Sequence, residues 1–134
     1  FYIMEKEGER PVFKLLASYA YQWRKGLNNR FEVGEGVVGQ CALEKNRIAI
    51  NDVPGYYIRI SSGLGHGRPR NIAVIPIIFE GEVKAVIELA SFNRFTDIHL
   101  MFLDQLTEGI GIVLNSISAG MRTEQLLKQV EMSA

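Results

Sequence analysis

Cysteine is nearly absent: Cys41 is the only one in 134 residues. A single thiol excludes a disulfide framework, a cysteine-built zinc site and an internal redox pair, and it points to a reducing, cytoplasmic compartment. An excess of one charge is also missing. Fifteen basic side chains balance fifteen acidic ones, so no global field draws in nucleic acid or an anionic membrane surface. Long apolar runs are lacking too, since none reaches the roughly 18 residues of a membrane span, and no signal-peptide pattern opens the chain. There are two histidines. His66 sits among glycines without a second metal-type ligand beside it, which reads as a solvated side chain. The chain opens at Phe1 inside an apolar run, as a piece of a longer parent does, and that parent is free to carry a membrane anchor elsewhere.

What is present is an ordinary apolar content over a length that suits one globular domain, residues 1–134. The stretch around which it is organised is NIAVIPIIFEGEVKAVIELASF, Asn71 to Phe92. Its two short runs rich in Val and Ile, joined at Phe79-Glu80-Gly81-Glu82, predict a hairpin of buried central strands. Pro76 removes a ladder donor, so a bulge or a break in pairing is expected there. Phe1 to Met4 and Val12 to Trp23 predict a first hairpin. Along its second strand, Phe13, Leu15, Ala17, Tyr19, Tyr21 and Trp23 share one face and Lys14, Ser18 and Gln22 the other. Core packing accounts for the aromatic row, with Tyr19 and Trp23 also suited by their polar tips to touch a ligand.

Gly34, Gly36 and Gly39 have the spacing of a dinucleotide fingerprint, but a polar turn precedes them and the helix that follows, about Val37 to Glu44, is only two turns long. They read instead as a tight lead-in to that helix. Within it Cys41 reads as a small half-buried thiol. Arg47 to Val53 predicts a short strand. The next segment, GYYIRISSGLGHGRPR, is the least regular and is basic through Arg59, Arg68 and Arg70. Two readings stand beside each other. In one, Gly63, Gly65 and Gly67 let the backbone approach an anionic ligand held by Arg59 or Arg70. In the other the loop is simply solvated. Tyr56, Tyr57, Ile58 and Ile60 suit a short helix folded over the sheet.

A helix capped by Thr96 or Asp97 then runs towards the C-terminus. Thirty-odd residues at about 1.5 Å each make a rod of about 50 Å, longer than the roughly 36 Å span of a compact domain this size. One apolar stripe, Phe102, Leu106, Ile110, Val113, Ile117 and Met121, is suited to lie on the sheet. A second, Ile112, Ser116, Ala119, Thr123, Leu126 and Val130, alternates steps of four and three as a coiled-coil seam does, which suggests a parallel homodimer.

In order, FEVGEGVVGQCALEKN, IAINDVP, YYIRISSGLG, IPIIFEGEVKAVIELASF and FTDIHLMFLDQLTEGIGIVLNSI resemble a GAF domain, especially those preceding the kinase core of bacterial sensor histidine kinases. The RTEQLLKQVE tail is similar to the signalling helix that leaves such domains, beginning near residue 119. Ala85 replaces a glycine usual in its strand, and the helix expected before Phe1 is absent. The resemblance implies an α+β, PAS-like fold. Its central antiparallel sheet has five or six strands, with helices on one face, a loop-covered pocket on the other and a long C-terminal helix. Sensing is the implied role, with a downstream kinase or other output domain in the parent and no direct membrane contact.

Neither the cyclic-nucleotide signature nor a bilin-anchoring cysteine is found, and Asp52-Val53-Pro54 only resembles a bilin-framing motif. A single cysteine argues against the methionine-sulfoxide-reducing members. There is thus no indication of haem, bilin, metal or dinucleotide. By family position, ligand contacts come from Asn51 and Asp52, from Tyr57 to Ser62 with Arg59, Ser61 and Ser62, and from Glu88; Arg70 is a candidate from the basic loop and not from the resemblance. Glu88 stands between Ile87 and Leu89 in an apolar strand, where an unpaired carboxylate is costly. It either pairs with Arg59, Arg70 or a backbone amide for structural reasons or serves a ligand. A small-molecule sensor, a ligand-free dimerisation and relay module, and an enzyme remain the three classes, and no nucleophile-and-base pair favours the last.

Overall fold

The apolar hairpin does form the centre. In a computed structural model, which describes residues 1–18, 29–52, 60–62, 65–67 and 71–133, β7 (Asn71–Phe79) pairs with β8 (Glu82–Ser91) through a two-residue turn. Glu80 and Gly81 both have positive φ, 51° and 77°, the conformation that matches the natural twist of the flanking strands. Around this hairpin the order is β3-β2-β1-β8-β7-β4, all antiparallel. Here β1 is Tyr2–Glu7, β2 Arg10–Leu15, β3 Arg30–Glu32 and β4 Ile48–Asn51. Two further strands, β5 (Ile60–Ser62) and β6 (Gly65–Gly67), make a separate hairpin. The helices are α1 (Gly36–Glu44) and α2 (Asp97–Ser133).

Pro76 sits where β7 has outrun β4, whose pairing stops at Ile48 opposite Val74. On that side no ladder exists for the missing N–H to break. The expected irregularity falls beside it, between Ile77 and Ile78.

Alternation divides the core in two. On one face Ile72, Val74 and Val86 meet Phe13 and the α1 residues Val38, Cys41 and Ala42. On the other, Ala73 and Ile75 meet Leu100 of α2, with Leu89, Phe95 and Leu103 around them. The sheet of six strands and the long C-terminal helix are as expected, while α1 takes one end of the face that the resemblance reserves for a pocket. Among the described residues no helix is long and apolar enough to cross a membrane.

Three expectations are corrected. The strand read as Val12 to Trp23 ends at Leu15. Leu16 is 65% exposed, and the N–H groups of Leu16 and Ala17 turn back to the Phe1 carbonyl, so the row through Phe13 and Leu15 does not continue as a strand into Ala17. Tyr19, Tyr21 and Trp23 lie outside the described residues. The proposed helix over Tyr56 to Ile60 meets a strand at Ile60, and its other positions are outside the described residues.

The third correction concerns which side of α2 faces the sheet. Phe102, Leu106, Val113, Ile117 and Met121 are all exposed. The sheet instead receives Leu100, Leu103, Thr107 and Gly111. A Cβ on Gly111 would stand 2.7 Å from the Ile78 carbonyl oxygen. The helix therefore approaches β7 through its smallest side chains, and a stripe of large residues could not come so close.

The glycine cluster has a backbone explanation. Gly34 and Gly36 have φ of 87° and 63°. A Cβ on Gly39 would lie 2.2 Å from the Glu32 carbonyl oxygen. The Gly34 N–H donates to the Gly39 carbonyl at 2.8 Å, folding the loop onto the first turn of α1. These glycines serve the tight helix lead-in that the sequence suggested.

Candidate functional site

Because α1 is nine residues long, it covers only one end of its face. Register identifies the rest. Tyr2 lies opposite both Leu15 and Val86, Val74 opposite Glu88, and Ile72 opposite both Ile50 and Ala90. Directly opposed residues share a face, so Tyr2, Leu15, Ile50, Val86, Glu88 and Ala90 form a floor beyond α1. All but Val86 are half-buried. Glu88 is the only carboxylate among these six. Tyr2 also stacks edge-on against Phe31, with ring centroids 5.5 Å apart.

Of the other predicted site residues, Asn51 ends β4 opposite Asn71. Alternation puts it on the α2 side, away from Glu88. Asp52 is exposed at φ 55° and pairs with Arg94 at 3.5 Å. The structure therefore brings neither to the Glu88 floor. Ser61 and Ser62 belong to β5, where Ser61 pairs with His66 and Ser62 with Gly65. Tyr57, Arg59, Arg70, Tyr19 and Trp23 lie outside the described residues. The seam positions Ile112, Ser116, Ala119, Thr123, Leu126 and Val130 are all exposed.

Cys41 is fully buried. Its sulfur lies 3.4 Å from the Asn46 carbonyl oxygen and 3.7 Å from that of Val74. Burial, aided by Glu44, pushes the thiol up to about 12, so at neutral pH it is protonated and unreactive. Among the described residues no group of three or more His, Cys, Asp or Glu gathers as a metal site.

Two clefts were not anticipated. One, of about 440 Å³, lies between the α1–β4 turn and α2, lined by Lys45, Arg47, Pro76, Asp104, Thr107 and Glu108 among others. Arg47 crosses it, donating to the Leu100 carbonyl at 3.2 Å and pairing with Asp104. The other, of about 420 Å³, lies beside α1 against Met4, Phe13, Val33, Leu43 and Val83, with Lys6 and Glu9 also lining it. Neither is lined by a residue singled out as a candidate ligand contact. A signal for the first was present in Thr107, a polar residue on the helix face turned to the sheet. It was hidden because larger apolar residues elsewhere on α2 drew the assignment.

An antiparallel sheet of six strands, with a short helix on one face and a long C-terminal helix on the other, defines an α+β domain of the GAF type. A family model described as a GAF domain matches residues 1–115, and the chain belongs to that family. A solved structure described as the structure of the GAF domain is similar with a TM-score of 0.56 at 22% identity, over 82% of this chain and 59% of that one. This chain thus spans under two thirds of that protein. A type II free methionine-R-sulfoxide reductase from Thermoplasma acidophilum is similar with a TM-score of 0.59 at 15% identity, over 86% of this chain and 75% of that one. At such identities the likeness is one of fold. No curated protein matches the chain.

Proposed function

We propose that this GAF domain is a regulatory, small-molecule-sensing module of a bacterial signalling protein, a cytoplasmic part of a sensor histidine kinase. In this reading it relays ligand state through α2 to an output domain. Membership of the GAF family supports a regulatory role at the family level. The observation that carries the ligand is Glu88, a half-buried carboxylate on a central strand, set among the half-buried apolar floor residues beyond α1. A polar group among mostly apolar side chains is the usual lining of a small-molecule site. A small polar or anionic metabolite fits if Arg59 or Arg70 meets it from the loop side, and a cationic group of the ligand would sit at Glu88.

The reductase among the similar structures makes catalysis the reading to weigh against this one. Thiol redox chemistry needs an accessible thiolate and, for turnover, a resolving thiol. Cys41 is buried, protonated and alone, which supports sensing.

A thermal-shift screen of metabolites tests the proposal. A ligand at a hundred times its Kd adds about 2.7 kcal/mol, which for a domain of this size raises Tm by roughly 6–12 °C. Glu88→Gln should fold normally and reduce the shift. A broad screen without any shift, together with an experimental structure in which the protein's own side chains fill the space over Glu88, would leave only a ligand-free relay module.

A further inference from the structure

The cleft of about 420 Å³ beside α1 and the floor bearing Glu88 share one face of the sheet but lie towards opposite ends of its strands. Along β1, Tyr2 belongs to the floor, while Met4 and Lys6 follow on the same face and line the cleft. Phe13 and Pro11 stand directly opposite those two. Along β8, Glu88 and Ala90 belong to the floor, while Val83, next to the β7–β8 turn, lines the cleft. Ala42 and Leu43 complete it from α1, and Val33 from the turn between β3 and α1.

Charge distinguishes the two faces of the β1–β2 hairpin. On the α2 side Glu5, Glu7, Lys14, Arg30 and Glu32 neutralise one another in ion pairs. On the cleft side Lys6 has no ion pair or hydrogen bond among the described residues. Lys45 has no ion pair either, and its ammonium rests on the Gly81 carbonyl at 2.7 Å. Of the two carboxylates in the lining, Glu82 is held by Lys84 at 3.1 Å, which leaves Glu9. Two unpaired ammonium groups against one unpaired carboxylate give the lining one positive charge in excess, in a chain whose formal net charge is zero.

We propose that this cleft is a second ligand site and that it takes an organic acid with an apolar body and a single carboxylate. Its volume falls within the roughly 300–1,000 Å³ of small-molecule sites, and an apolar lining with a few polar groups is their usual composition. Val33 and Leu43 remain 40% and 56% exposed beside the buried Phe13, Ala42 and Val83, so an apolar ligand body removes them from water. An ammonium carries three donors. Lys45 has given one to Gly81, and Lys6 none to any described partner, so both can donate to carboxylate oxygens in charge-assisted bonds. Such a ligand touches α1 through Ala42 and Leu43 and shares the ammonium that ties the end of α1 to the β7–β8 turn. It gives α1 an input separate from Glu88, and the proposal does not rest on the Glu88 site.

Amide proton–nitrogen spectra of the labelled chain, titrated with three probes of one body and different charge, test this. 4-Phenylbutyrate is expected to shift the amides of Met4, Lys6, Leu43 and Val83 saturably, with 4-phenylbutanol binding more weakly and 4-phenylbutylamine weakest. Lys6→Gln should weaken the acid roughly two- to fivefold, the range of an exposed charge pair, and leave the alcohol unchanged. Leu43→Asp, at an exposed helix position, should abolish binding of the acid, and Glu88→Gln should leave it unaltered. Equal affinity for all three probes would overturn the acid as the ligand class. Shifts confined to Tyr2, Val86, Glu88 and Ala90, or loss of binding in Glu88→Gln, would place the acid on the floor and overturn a second site. No shift at millimolar probe would overturn the site while leaving the metabolite screen directed at Glu88 standing.

Discussion

At the scale of single residues, the edge of the sheet on the α2 side carries charge where the helix does not reach. Lys14 bridges Glu5 and Glu7 at 3.1 and 3.5 Å, and Arg30 Nε donates to Glu7 at 2.9 Å. Opposite Glu5 and Glu32, on the same face, Val12 is completely buried. The aliphatic stems of these long side chains are suited to shelter it while their heads remain in water. The Arg30 hydrogen bond holds the Glu7 carboxyl at about 2 against an ordinary 4.5. Glu7 thus releases its proton more readily folded than unfolded. Its contribution to stability is full above the unfolded value and fades as pH falls from there towards 2. Glu7→Gln should therefore lower the urea midpoint at pH 7, and the gap from wild type should close in acid. Because these groups are exposed, the gap should also shrink in high salt. An equal gap at pH 7 and pH 2.5 would show that Glu7 acts through something other than its charge.

At the scale of elements, the sequence was legible wherever one local rule decided the outcome. The β7–β8 hairpin followed from two apolar runs and an acidic-Gly turn, and the cap of α2 from Thr96. The Thr96 hydroxyl accepts the His99 N–H at 3.3 Å, and His99 Nδ1 accepts the Thr96 N–H in return. The face of α2 was misread because periodicity marks apolar stripes without saying which one the sheet will meet. Backbone proximity at Ile78 selected the side with Thr107 and Gly111. The glycines of α2 consequently divide into two kinds. Gly111→Ala should force its methyl against the Ile78 carbonyl and cost about 1–3 kcal/mol, read as a fall in Tm of roughly 5 °C or more. Gly120→Ala meets open space and should raise helix content by circular dichroism, since alanine is favoured by about 1 kcal/mol in a helix. Equal effects of the two would mean that α2 does not rest on β7 through Gly111.

At the scale of the whole molecule, the face bearing Glu88 and the face bearing α2 are opposite sides of one sheet, and a relay needs a physical connection between them. The turn after α1 supplies one. Lys45, in the left-handed conformation, closes the helix by donating its N–H to the Cys41 carbonyl, and its ammonium reaches the Gly81 carbonyl at 2.7 Å. Two residues on, Arg47 reaches the other side to hold Leu100 and Asp104 of α2. Displacement of α1 by a ligand on its face would thus be transmitted to the first turns of α2 through Arg47. None of this was legible in advance, because it depends on the turn bringing Arg47 over the edge of β7, a tertiary fact with no local signature. Arg47→Ala should leave the fold intact, since the pair is largely at the surface and worth about 1 kcal/mol. It should raise amide hydrogen exchange across residues 100–107 of α2 and leave α1 protected. Asp104→Asn should reproduce part of the effect, and the double variant should add little to Arg47→Ala if the two act as one clamp. Should a ligand be found by its thermal shift, Arg47→Ala should retain that shift while abolishing any ligand-dependent change in exchange along α2. A ligand response of α2 that survives the substitution would place the connection elsewhere, in β7 and Gly111.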